Sequence, residues 1–79
     1  MMSWNYRVIK EEVDERTFYS IREVYYDNKG RPDSWTAEDT TPCESTPNDL
    51  LETLAKMLVA IVSRPILEVV DDKLVEVKE

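Results

Sequence analysis

Apolar and polar residues alternate along the first stretch of the chain. Trp4, Tyr6 and Val8 fall on one face of an extended segment, and Asn5, Arg7 and Ile9 on the other, which predicts a strand over about 4–13. The polar run from Glu11 to Arg16 supplies a reversal. A second period-two segment covers about 17–27, with Tyr19, Ile21, Glu23 and Tyr25 on one face and Phe18, Ser20, Arg22, Val24 and Tyr26 on the other. Asp27-Asn28-Lys29-Gly30 follows as a hairpin turn. The chain's one glycine stands last in it, where a positive φ would penalise any Cβ. Pro32 limits ladder pairing, so the third strand, about 33–37 and carrying Trp35, is expected to be short.

The period then changes from two to 3.6. Thr46 is a good N-cap, Pro47 suits the first helical position, and Asp49 lies near the positive end of the helix dipole. Leu50, Leu51, Leu54, Ala55, Met57, Leu58, Ile61 and Val62 form a wide apolar stripe. Pro65 disfavours helical geometry at Arg64, which predicts a helix over about 47–63. In the tail, 66–79, two β-branched runs flank Asp71-Asp72-Lys73. They read either as an added strand or as an extended arm fraying at Lys78-Glu79. The expected fold is α+β, one domain over 1–79: a three-stranded antiparallel sheet in β-β-β-α order with one helix across it.

That fold has a surplus of apolar surface. A sheet with one helix on one face should be polar on its other face, yet the second strand carries large apolar residues on both. The helix too is apolar nearly all round from Met57 to Val62, since Val59 and Ala60 fill its expected solvent side. Either the tail or a second copy must cover the excess, and a homodimer with the tail contributing is the favoured expectation. Tyr19, Tyr25, Tyr26, Trp35 and Val59 are the expected interface residues, because aromatics dominate both cores and interfaces.

Charge narrows the classes of partner. Asp and Glu number 17 against 10 Lys and Arg, a net of −7. The cations are scattered singly, so binding of nucleic acid by this chain alone is not expected, nor is an anionic membrane surface. A basic protein partner is electrostatically permitted. The longest apolar run, Met57 to Val62, is too short to span a bilayer. The residues from Met1 to Arg7 lack the apolar centre of a signal peptide, and Cys43 is the one cysteine; both suggest a cytoplasmic protein.

Candidate chemistry is sparse. With no histidine and a single thiol, a zinc site would need an unusual ligand set, and no cofactor is expected. Glu23, between Ile21 and Tyr25, is the one carboxylate placed to be buried, and a general acid or base could use such a site. Its bland alternative is an ion pair with Arg7 or Arg22 across the strands. Asp27-Asn28-Lys29-Gly30-Arg31 fails as a calcium loop because cations occupy ligand positions. Cys43 precedes a helix N-terminus, but Glu44 beside it opposes a thiolate. Glu38-Asp39 and Asp71-Asp72 read as solvated surface.

Two segments carry a resemblance. Trp4 to Ile9, W-N-Y-R-V-I, and Glu23 to Thr36, of pattern E-V-Y-Y-D-x-x-G-x-P-x-x-W-T, resemble a family of short bacterial proteins of unassigned function. In that family His often stands at the position of Arg22, so no imidazole role carries over. More loosely, the strand order running into the capped helix at Thr46-Pro47-Asn48-Asp49 is similar to the β-β-β-α module of HicB-type antitoxins. Here the proline-glycine turn and any appended DNA-binding segment are missing, which leaves an analogy of topology. The expected function is a small, non-catalytic interaction module, homodimeric, in the cytoplasm. Its rivals are an antitoxin-like protein that neutralises a small basic toxin, and an enzyme built on Glu23.

Overall fold

The computed structural model describes residues 3–77. It is α+β: β1 (Ser3–Val13), β2 (Arg16–Tyr26), β3 (Pro32–Trp35), α1 (Pro47–Val62), β4 (Leu67–Val70) and β5 (Lys73–Glu76). The expected fraying at Lys78-Glu79, and the reading of Met1 and Met2, lie outside the described residues. The sheet has five strands in the order β3-β2-β1-β4-β5, two more than the three-stranded reading allows. The tail supplies both. It pairs parallel to β1 at Ile9↔Leu67 and Lys10↔Glu68, then turns back as an antiparallel hairpin.

The β1–β2 hairpin is the frame. All 11 residues of each strand pair, from Ser3↔Tyr26 to Val13↔Arg16. The reversal placed loosely in 11–16 is the two-residue turn Asp14-Glu15. Both residues have positive φ, 52° and 67°, the backbone a tight hairpin needs to match strand twist. Asp71 and Asp72 repeat it between β4 and β5 with φ of 50° and 62°. At the β2–β3 turn the Gly30 amide donates to the Asp27 carbonyl at 3.0 Å, and Gly30 takes φ 76°. Asp27 Oδ1 accepts from the amides of Lys29 and Arg31. A register shift follows at Tyr25/Tyr26, and β3 ends at Trp35.

The two faces of β2 are apolar for two different reasons. Val24 and Tyr26 lie on the same face as Ile9, Leu67, Val69, Leu74 and Trp35, as the registers require. Ile9, Val24 and Leu67 are fully buried, and the others pack around them. This face is closed by the sheet itself, which curls until β3 and β5, at opposite ends of the strand order, touch. The other face, with Tyr6, Val8 and Ile21, meets α1. Burying each large aliphatic chain contributes roughly 1.5–3 kcal/mol, so the three-residue centre is a thin core.

The helix begins as its sequence dictates: Thr46 Oγ1 accepts from the Asp49 amide at 3.1 Å, with Pro47 in the first turn. It ends at Ser63, whose amide donates to the Val59 carbonyl. Ala60 does not lie on its solvent side. It is fully buried with Met57 against the sheet, three residues on and so on the same stripe.

Candidate functional site

Helix α1 packs principally on β1. Its inward row is Leu50, Thr53, Met57 and Ala60, of which the last two are buried. A helix turns 100° per residue, so the apolar residues on the adjoining flank point away from β1. Leu51 stays 66% exposed, Leu58 57%, Ile61 55% and Val62 68%, with Leu54 close behind. Positions 51, 54, 58 and 61 are spaced three, four and three apart, the spacing of a coiled-coil seam. Nothing among the described residues covers this seam.

The seam borders a second apolar region. Because α1 lies over β1, the β2 half of the same sheet face is left open there. Tyr19 is exposed, and a groove of about 410 Å³ runs between Ile61 on one side and Tyr19, Ile21 and Val8 on the other, with Ile66 at its end. Helix flank and strand flank together form one apolar surface.

The opposite flank of α1 is polar and frames a different cavity. Lys56, Val59 and Arg64 face Trp4, Asn5 and Tyr6 across about 510 Å³. The Trp4 and Tyr6 rings meet edge to face, centroids 5.2 Å apart at 88°. The Tyr6 phenol is held above its ordinary value, first by burial and then by the charges of Glu23 and Glu44.

Two arginines are buried on the curled face. Arg22 donates to Ser20 Oγ, the Thr36 carbonyl and Glu11, and lies 3.5 Å from Asp39; it ties β2 to β1 and to the segment after β3. Arg7 has no carboxylate partner among the described residues. Its Nη1 donates to the Tyr26 hydroxyl at 2.8 Å, which donates onward to Asn5 Oδ1 at 2.7 Å; its Nη2 donates to the Pro65 carbonyl at 2.7 Å, and its Nε is unpartnered. Neither arginine reaches Glu23. That carboxylate sits on the helix side of the sheet, since Tyr6↔Glu23 and Arg7↔Arg22 are successive pairs on opposite faces. Glu23 Oε1 accepts from the Tyr25 hydroxyl at 2.9 Å, which is the main reason the Tyr25 phenol titrates above its ordinary value, and Glu23 lines none of the three cavities described for this chain.

The five expected interface residues separate in space. Tyr19 lies on the open apolar surface and Val59 in the wall of the polar-flank cavity. Tyr25 is half-buried over Glu23. Tyr26 and Trp35 pack against the buried core on the curled face. The exposed helix seam was the feature missed, and a helical wheel drawn from Met57 and Ala60 as the inward row would have found it. Cys43 is exposed in the segment before α1, where neighbouring Glu44 accepts from the Thr53 hydroxyl. Among the described residues no group of three or more acidic or thiol side chains converges as a metal site, and no helix is long and apolar enough to cross a membrane. No family model, curated protein or solved structure matches the chain.

Proposed function

We propose that this chain is a small, non-catalytic interaction module that works as a homodimer, joined through the outward seam of α1 and the open strand flank beside it. The observation that carries the reading is the seam itself: Leu51, Leu54, Leu58 and Ile61 are each 45–66% exposed, and none of the described residues packs over them.

A second copy suits this surface. A seam spaced three-four-three is self-complementary about a two-fold axis, and each helix would lie beside its partner over the uncovered β2 flank. The outermost positions of α1 beyond the seam, Asn48, Ala55 and Val62, are uncharged, so the two acidic chains meet without a close like-charge contact. Their long-range repulsion remains, which gives the dimer a signature: it tightens as salt rises. Binding to a basic partner, the antitoxin-like alternative, would weaken instead.

Sedimentation equilibrium at micromolar concentration is the test. The expected result is a dimer that Leu58→Glu converts to a monomer of unchanged circular dichroism. A wild-type chain that stays monomeric through the micromolar range sinks the reading. Two further parts belong to the same proposal. A cytoplasmic setting is supported by the lone exposed thiol of Cys43, which a reducing compartment would keep free. Kinship with the short bacterial family rests on its two sequence motifs.

A further inference from the structure

Three cavities on this protein differ in the charge of their walls. That between β3 and β5 mixes Arg31 and Lys73 with Asp27, Asp33 and Asp72. The groove beside Ile61 is apolar. The cavity on the polar flank of α1 holds Lys56 and Arg64 and no carboxylate. In a chain with 17 acidic and 10 basic residues, an arbitrary surface hollow should lean negative, and this one does the reverse. Neither cation forms an ion pair among the described residues. Glu23 and Glu44, the carboxylates whose charge reaches the Tyr6 hydroxyl, do not line it.

The topology explains why the hollow exists. Strand β4 joins β1 only at Ile9 and Lys10, so the β1 edge at Trp4–Tyr6 has no strand beside it among the described residues. The C-terminal half of α1 overhangs that gap. Trp4 and Tyr6 wall it with two rings set edge to face. Asn5 also lines it at the open strand edge, while its side chain turns to the opposite face of the sheet, where its Oδ1 accepts from the Tyr26 hydroxyl. The volume, about 510 Å³, falls in the range of small-molecule sites.

We propose that this cavity binds a small aromatic carboxylate, its ring against Trp4 and Tyr6 and its anionic group between Lys56 and Arg64. Arg64 supplies a planar fork for the carboxylate, Lys56 a mobile point charge, and the two perpendicular rings an apolar corner in which a ligand ring can lie against one face and meet the other ring edge-on. The site is on the opposite flank of α1 from the dimer seam, so it does not depend on the dimer.

The test is titration of the full chain with indole-3-carboxylate, read by amide and indole NMR shifts. Saturable shifts centred on Trp4, Asn5 and Tyr6 are expected, with a Kd on the order of 0.1–1 mM for a ligand of this size. Lys56→Gln with Arg64→Gln should weaken binding at least ~10-fold, since charge-assisted hydrogen bonds are lost. Both side chains are at the surface, and an unchanged amide dispersion would show the fold retained. Val59→Phe, which fills the cavity and keeps both charges, should also abolish binding. Indole-3-carboxamide, with the ring but no charge, and inorganic phosphate, with charge but no ring, should each bind at least ~10-fold more weakly. Absence of saturable shifts, equal binding of either control compound, or unchanged binding by both variants overturns the proposal.

Discussion

The guanidinium of Arg7 donates to the carbonyl of Pro65 at 2.7 Å, across 58 residues of sequence. One side chain of β1 thereby holds the turn through which α1 hands the chain to β4. The same guanidinium fixes Tyr26 on β2, so a single buried cation links the hairpin to the helix exit.

Arg7→Ala should therefore be costly. It leaves the Tyr26 hydroxyl and the Pro65 carbonyl short of a partner, and a loss of about 2–3 kcal/mol is expected. Arg7→Met, which fills the space and removes the unpartnered Nε, should lose less. Urea unfolding at one fixed protein concentration measures both. Equal loss in the two variants would show that hydrogen bonding, and not packing, is what Arg7 provides.

Met57 and Leu58 are neighbours in sequence with opposite surroundings, one 5% and the other 57% exposed. Met57→Ala should destabilise folding by about 2–4 kcal/mol through a core cavity. Leu58→Ala should leave folding of the monomer within about 0.5 kcal/mol and loosen self-association instead. Denaturation and sedimentation on both variants give a crossed pattern. If Leu58→Ala unfolds the chain without changing its mass in solution, the exposed seam is misplaced.

The Asp14-Glu15 and Asp71-Asp72 turns place four non-glycine residues at positive φ. Left-handed backbone costs an L-residue roughly 1–2 kcal/mol, less for Asp than for Glu. Glu15→Gly should accordingly stabilise by about 1 kcal/mol, and Asp72→Gly by less, with part of each gain lost to the freer unfolded chain. A fall in thermal midpoint for Glu15→Gly would contradict the turn geometry.

Asp27 titrates below its ordinary value, chiefly because the Arg31 amide donates to its carboxylate, with the Lys29 amide and the Arg31 side chain adding to the effect. A carboxylate with a depressed folded value stabilises the fold above the unfolded value of 3.8, and that contribution disappears as pH falls through the folded value. Asp27→Asn should thus be less stable than wild type at neutral pH, the gap narrowing only below the unfolded value. A gap that is constant down to acid pH would remove Asp27 from the pH response.

The local elements were legible because their causes are local. Thr46-Pro47 starts the helix and Pro65 ends it, Gly30 closes the second turn, and the alternation from Trp4 to Tyr26 assigns each residue of β1 and β2 to its face. The tail was not legible in the same way. Ile66 to Val77 has strand composition, but whether it pairs depends on β1 offering a free edge at Ile9 and Lys10, which is a property of the assembled sheet. The partner of Glu23 was misjudged for a different reason: alternation alone already sets Arg22 on the face opposite Glu23, and the β1–β2 register sets Arg7 there as well.

Taken alone, the sequence determined the strand faces, the helix and its caps, the Asp27–Gly30 turn, and a surplus of apolar surface, because each follows from backbone preference or from periodicity over a few residues. Tertiary structure decided where the surplus lies. The sheet curls and covers one face of β2 with Trp35, Val69 and Leu74, while α1, seated on β1, leaves its own flank from Leu51 to Val62 in solvent. Periodicity marks a residue as apolar but cannot say which neighbour will bury it, since that depends on how far the strands pair and on which strand the helix settles.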